Sequence, residues 1–205
     1  EFKEAKAGFA KISGDSRFSL LARFYTLESD FMLKDYDSVI KNGELLYELL
    51  SEEFRTKTAR MLSEAYYDKG ETQKAQSYFD KYSQNSASLS RNDLYYQGMI
   101  SYKLKSYKLA VESFGKIIAT SDSLTQNAKY HMGFCYAEMK NKQQALTFFK
   151  EASEMNFDQL LKEDAMFNYA KLSFDLNSDI SKFQNYLSTY SPPDTKFNEI
   201  QNYIA

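Results

Sequence analysis

Two side chains that could do chemistry, His131 and Cys135, lie four residues apart in this sequence. That spacing places an imidazole and a thiol on one face of a helix, as half of a metal site or a Cys–His nucleophile would require. They are the chain's single His and single Cys, so they cannot supply the four ligands of a zinc site unaided. We favour a packing role, because a free Cys is commonly a buried small hydrophobe.

Paired carboxylates are the second candidate. General acid–base catalysis needs a carboxylate in a dry cleft that raises its pKa. The acidic pairs here fall in predicted turns or first helical turns, where they complement the helix dipole: Asp35 with Asp37, Glu52 with Glu53, and Glu163 with Asp164. The sequence has no glycine-rich phosphate loop, G-x-S-x-G turn or H-E-x-x-H pair. We therefore predict that the protein is not an enzyme and uses no catalytic residue, metal or cofactor.

The charge balance argues against nucleic acid as a partner. The 205 residues carry 26 Lys and Arg against 28 Asp and Glu, a formal charge of −2. Helical repeats that read RNA need a basic channel to follow the phosphates, and here the lysines are scattered among acidic residues. No apolar run approaches the roughly 18 residues of a membrane span, so no span is predicted in this segment.

The scarcity of Gly and Pro points to an all-α fold. The chain has 17 Tyr and 16 Phe but only 7 Gly and 2 Pro. A β-sandwich or barrel needs a turn about every 8–12 residues, usually at Gly or Pro. Both prolines lie at 192–193, so the preceding residues lack the strongest helix breaker.

A sequence motif of the form Ala-x-x-x-Phe recurs along the chain. Its copies begin at Ala5, Ala75, Ala110 and Ala145, and Val39 occupies the same slot between the first two. The spacings are 34, 36, 35 and 35 residues. A fixed period of this length is the signature of a repeat protein.

The sequence of each repeat predicts a helical hairpin. In the segment 56–90, Ala65 and Tyr66 lie on the apolar face of a first helix, and Gly70 supplies the left-handed residue that follows its end. A second helix then presents Ala75 and Phe79. The small Ala lets the two helices approach closely, and the Phe fills the space beside it.

These residues resemble the tetratricopeptide repeat, a helical hairpin of 34 residues. The segment 126–159 matches with Gly133, Tyr136, Ala145, Phe149 and Ala152. The sequence departs from the usual pattern of this repeat at three points. Lys105 stands where Gly is usual, Gly43 stands where an aromatic residue is usual, and no repeat ends with Pro.

The resemblance implies one all-α domain, a right-handed α-α superhelix of about five helical hairpins. We predict that 1–19 is the second helix of a truncated repeat, that 161–194 is a divergent repeat, and that 195–205 is a terminal or capping helix. The remaining repeats are 20–55, 56–90, 91–125 and 126–160.

Two stretches, 122–128 and 163–170, resemble the long, exported multi-repeat proteins of the Bacteroidetes-type cell envelope. The resemblance implies a periplasmic or envelope location. The chain starts without Met and in mid-repeat, so we expect a piece of a longer protein.

In this family the first helices line a concave face. Carried onto this sequence, that face is rich in aromatic rings, and exposed aromatic rows mark binding sites. The residues predicted to contact a partner are Phe24, Phe31, Arg60, Tyr67, Tyr95, Met99, Tyr102, Tyr130, Phe134, Phe167 and Phe174.

We therefore predict a non-enzymatic scaffold that binds a protein partner, either a helix or an extended peptide, in an aromatic groove. Two alternatives remain open: the same face stacks sugars or another small ligand, or the chain is a structural spacer in a larger envelope protein. The sequence leaves the partner's identity and the oligomeric state undetermined.

Overall fold

The computed structural model describes residues 1–9, 11–12 and 18–204. Within them every regular element is a helix, which confirms the all-α prediction. The helices are α1 (Phe2–Phe9), α2 (Ser19–Met32), α3 (Tyr36–Tyr47), α4 (Glu52–Asp68), α5 (Thr72–Gln84), α6 (Arg91–Lys103), α7 (Tyr107–Gly115), α8 (Ser123–Glu138), α9 (Lys142–Glu154), α10 (Gln159–Asn177), α11 (Ser181–Thr189) and α12 (Asp194–Ile204).

The helices fall into two compact units, Glu1–Leu104 and Lys105–Ala205. The boundary lies inside the segment 91–125 that the sequence pattern assigns to one repeat. In the predicted segment 1–19, α1 is helical, whereas residue 10 and residues 13–17 lie outside the described part of the chain.

Each helical hairpin turns on a left-handed residue. Gly70 has a φ of 77°, as the sequence predicted, and Lys34, Lys105 and Lys140 take φ values of 58°, 60° and 63° at the equivalent turns. At three of these turns the residue after the left-handed one donates its N–H to a carbonyl five residues back, at 2.9 Å in each case: Asp35 to Asp30, Glu71 to Tyr66 and Asn141 to Tyr136. This bond satisfies a carbonyl that the helix end would otherwise leave unpaired.

The recurring Ala and Phe residues form the hairpin cores. Ala75, Ala110 and Ala145 are buried, as are the Phe residues four positions after each of them. The rings pack where two helices cross, so these aromatic residues stabilise the fold and are not available to a partner. This agrees with the packing role that the period assigned to them.

Gly43 explains the weakest repeat in the sequence pattern. A Cβ at Gly43 would lie 2.9 Å from Cδ2 of Leu62, which is itself fully buried. Leu62 of α4 therefore occupies the space beside α3 at the position where the second helix of other hairpins carries an aromatic ring.

The last three helices close around one aromatic cluster. Phe183 and Tyr186 of α11 and Ile200 of α12 are fully buried, together with Ala170 of α10. Tyr186 also donates a hydrogen bond to Glu163 at 2.7 Å. The divergent segment after 160 therefore keeps a packed core although its sequence period slips.

Candidate partner-binding groove

A groove of about 830 Å³ lies within the unit Glu1–Leu104. It crosses the first helices of three successive hairpins, α2, α4 and α6, and reaches the segment that connects α5 to α6. Its lining residues are Glu28, Phe31, Met32, Glu52, Glu53, Thr56, Lys57, Arg60, Met61, Tyr82, Asn85, Ser86, Ser90 and Asp93. We call this set the α2–α4–α6 groove.

A buried carboxylate organises one wall of the groove. Asp93 accepts hydrogen bonds from Arg60 Nε at 2.7 Å and from the Tyr82 hydroxyl at 2.9 Å. It also exchanges bonds with Ser90, and the two residues form a capping box at the start of α6. Burial alone would raise the pKa of the Asp93 carboxyl, but the bonds from Ser90 and Arg60 outweigh it and lower the pKa.

Lys57, the second basic side chain of the groove, is also paired with a carboxylate of the groove lining. Lys57 Nζ lies 2.7 Å from Glu53 Oε1, one helical turn away on α4. The hydrogen bond to Glu53 raises the pKa of Lys57, and the charge of Glu28 adds to the effect. Within the described residues Glu28 and Glu52 form no side-chain ion pair of their own. In all, the groove lining contains four acidic and two basic side chains.

Apolar side chains supply the remaining surface of the groove. Met32, the last residue of α2, is 51% exposed, and the buried Met61 of α4 lies at the groove floor. Phe31 is half-buried, with its ring 6.3 Å from that of Tyr36. Met side chains adapt to irregular partners, so the groove combines a deformable apolar strip with fixed charges.

The structure places two of the predicted partner-contacting rings in the core. Phe24 is 1% exposed and packs against Phe54 at 4.6 Å between centroids. Phe167 is 6% exposed and lies against Tyr186 at 5.6 Å. The expectation that these rings are exposed is wrong, because the repeat frame cannot show which way a ring on the first helix turns.

The other predicted residues are half-buried. Phe31 and Arg60 lie in the groove. In the same unit Tyr67, Tyr95, Met99 and Tyr102 lie outside the groove lining, and burial raises the pKa of Tyr95 to about 12. That value indicates a hydroxyl with little access to water.

In the unit Lys105–Ala205, three of the residues predicted to contact a partner pack against other aromatic rings. Tyr130 donates to Asp164 at 2.6 Å, and its ring lies 5.0 Å from that of Phe134. Phe174 lies 5.1 Å from Tyr203 of α12. Their role in partner binding stays a prediction.

Sequence reasoning missed most of the groove lining. The missed residues lie on α2, on α4, and from Tyr82 of α5 to Asp93 of α6, whereas the predicted residues came from only three positions of each first helix. The serine-rich segment 85–90 separates α5 from α6. Its length could have drawn attention to this end of the helices.

His131 and Cys135 both lie on α8, and Cys135 is fully buried. Burial raises the pKa of its thiol to about 12. His131 Nδ1 lies 3.0 Å from the carbonyl oxygen of Asn127, within the same helix. The thiol is thus held in its neutral form, which is a poor nucleophile.

Neither a metal-ligand cluster nor a membrane-spanning helix is found among the described residues. No group of three or more His, Cys, Asp or Glu side chains is arranged to hold a metal ion. None of the helices in the described ranges is both long and apolar enough to cross a bilayer.

The fold defines an all-α protein built from stacked helical hairpins. Residues 127–154 match the model of the tetratricopeptide repeat family. The resemblance to that family is therefore confirmed in the repeat whose sequence pattern is strongest. No curated protein sequence matches the chain.

Several solved structures resemble most of the chain. A structure described as MamA MSR-1 C2 aligns with a TM-score of 0.68 at 15% identity, over 92% of this chain and 99% of its own. YrrB, described as a TPR protein with an unusual peptide-binding site, aligns with a TM-score of 0.68 at 17% identity, over 96% and 94%. BtubC (BKLC) from P. vanneervenii aligns with a TM-score of 0.62 at 12% identity, over 94% and 91%. At these identities the likeness concerns the fold alone.

Proposed function

We propose that this protein is a non-enzymatic scaffold that binds a peptide segment of a partner protein in the α2–α4–α6 groove. The observation that carries the proposal is the groove itself, which crosses three consecutive first helices and joins an apolar strip to charged walls. Its volume of about 830 Å³ lies within the range of about 300–1,000 Å³ that is typical of ligand-binding pockets.

The arrangement of the groove also supports binding over catalysis. Asp93, its one deeply buried carboxylate, is fully engaged by Arg60, Tyr82 and Ser90 and has a lowered pKa. A general acid or base at neutral pH needs the opposite shift. Because these hydrogen bonds already hold the side chains in place, little conformational entropy is lost at this wall when a partner docks. Among the proteins of the same fold, YrrB is described as having a peptide-binding site.

The test is selection of a phage-displayed library of random peptides on the immobilised chain. The selected peptides are then measured against Met32→Ser, which removes the exposed apolar side chain of the groove without changing charge. Leu45→Ser on α3 is the matched control, because Leu45 is 63% exposed and lies outside the groove.

The proposal predicts that Met32→Ser weakens binding about tenfold, as loss of an apolar anchor does, and that Leu45→Ser leaves it unchanged. Peptides that bind both variants equally, or a selection that enriches no peptide, would contradict it. The envelope location remains a prediction from the sequence resemblance.

A further inference from the structure

The lining of the groove carries more acidic than basic side chains. Of the four carboxylates in the lining, Glu53 and Asp93 are paired with Lys57 and Arg60 at 2.7 Å each. Glu28 and Glu52 are left without an ion pair among the described residues, and both are exposed. Both cations of the groove are thus neutralised, whereas two of its anions face solvent.

We propose that the occupant of the groove is a basic segment of another protein, in which Lys or Arg side chains flank an apolar residue such as Leu. The apolar residue packs on Met32 and Met61, and the flanking cations pair with Glu28 and Glu52. This inference rests on the proposed function and specifies its partner.

Charge complementarity favours this occupant over an acidic or neutral one. An acidic segment would bring like charges to Glu28 and Glu52, and it could reach Lys57 or Arg60 only by displacing a carboxylate already in contact. Like charges brought together at an interface are costly, and complementary ones speed association. A basic segment requires no existing ion pair to break.

The apolar requirement comes from the other half of the lining. Met32 exposes half of its surface, next to the half-buried Phe31. A purely basic chain would leave this strip in contact with water. Covering it with one apolar side chain supplies the buried centre that interfaces need, while the charges stay at the rim.

The experiment uses three sets of synthetic, fluorescently labelled peptides with Leu at alternate positions. The intervening residue is Lys in the first set, Ser in the second and Glu in the third. Binding is measured by anisotropy at low and at physiological salt on the full chain. The test variant is Glu28→Gln with Glu52→Gln, and the control Asp68→Asn with Glu138→Gln removes the same charge outside the groove.

The inference predicts that the Lys set binds, that the double variant in the groove weakens it about tenfold, and that added salt weakens it too. The control variant should bind as the unmodified chain does. Binding of the Lys set that both double variants weaken equally would show attraction to net charge alone and overturn the inference.

The remaining outcomes separate this inference from the proposed function. Met32-dependent binding of the Ser or Glu set, with none of the Lys set, would overturn the basic partner and leave the peptide scaffold standing. Absence of Met32-dependent binding for every set would count against both. Self-association of the chain that Met32→Ser abolishes would replace the peptide by a second copy as the occupant.

Discussion

The side chain of Gln126 hydrogen-bonds both polar groups of the Asp158 backbone. Its Oε1 accepts from the N–H of Asp158 at 2.8 Å, and its Nε2 lies 3.3 Å from the carbonyl of the same residue. The amide also bonds the N–H of Phe157 and the carbonyls of Ala152 and Met155, each at 3.1 Å. One fully buried side chain at the start of α8 therefore fixes the connection between α9 and α10.

Gln126→Ala should lower the free energy of unfolding by about 3 kcal/mol, because it leaves several buried backbone groups without their partner. Gln126→Glu should be no better, since a carboxylate cannot donate to the carbonyls that surround it. Urea denaturation followed by circular dichroism measures the change. The control is Gln143→Ala on the exposed face of α9; a Gln126 variant as stable as this control would show that the bonds contribute nothing.

The lysines at the hairpin turns are predicted to be strained. Left-handed backbone is costly for residues with a Cβ and not for Gly. Lys105→Gly and Lys140→Gly should therefore each stabilise the chain by about 0.5–1 kcal/mol, and Gly70→Lys should destabilise it by a similar amount. Lys150→Gly, at an exposed position in the interior of α9, is the matched control and should cost about 1 kcal/mol. Thermal melts of the four variants decide the sign in each case.

Gly133 is predicted to tolerate no side chain. A Cβ there would lie 2.8 Å from Cδ1 of the buried Phe149, so Gly133→Ala forces the helix crossing apart. We expect a loss of about 2 kcal/mol, typical of an overpacked core. At Gly115, the last residue of α7, nothing lies within 4 Å of the same position. Gly115→Ala should then be neutral, and equal stability of the two variants in urea would show that α8 and α9 can move apart freely.

The Cys135 thiol should be inert in the folded protein. Because burial raises its pKa to about 12, almost no thiolate is present at neutral pH, and only the thiolate attacks a disulfide reagent. Ellman's reagent should react with Cys135 in denaturant and only very slowly in buffer. Reaction at the rate of a free thiol in the native protein would argue for the exposed Cys–His nucleophile instead.

Acid should weaken the wall of the groove through Asp93. Its folded-state pKa is lowered, so the stabilisation that it provides is present above the usual carboxyl range and is lost as the pH falls through the lowered pKa. Asp93→Asn should therefore destabilise the chain by about 2 kcal/mol at neutral pH and much less in acid. Urea denaturation across this pH window measures the difference; a deficit that does not change with pH would assign the effect to packing.

The sequence predicted those parts of the fold that depend on local period. The Ala and Phe of each hairpin, such as Ala75 and Phe79, recur at fixed spacing because the same helix crossing repeats along the chain, so the pattern alone located the core. Gly70 located the turn of one hairpin. Lys105 takes the same left-handed backbone as Gly70, although its residue type predicts otherwise. There the packing of the helices overrides local preference.

The candidate site was less accessible to sequence reasoning. Arg60 and Phe31 were identified by repeat position, but Phe24 and Phe167 occupy the same face by period and are buried. Whether a ring turns inward depends on its neighbours, such as Phe54, that lie a repeat away. The pairing of Arg60 with Asp93, 33 residues on, also has no signal in a single sequence.

The central claim is that a peptide docks in the α2–α4–α6 groove, and methionine methyl NMR tests it most directly. The chain has 7 Met, of which Met32 and Met61 line the groove, while Met132, Met139, Met155 and Met166 belong to the other unit. On titration with a Lys-set peptide, we predict shifts at Met32 and Met61 and unchanged signals at the four Met residues of the other unit. Shifts confined to those four residues, or unchanged Met32 and Met61 signals at saturating peptide, would contradict the claim.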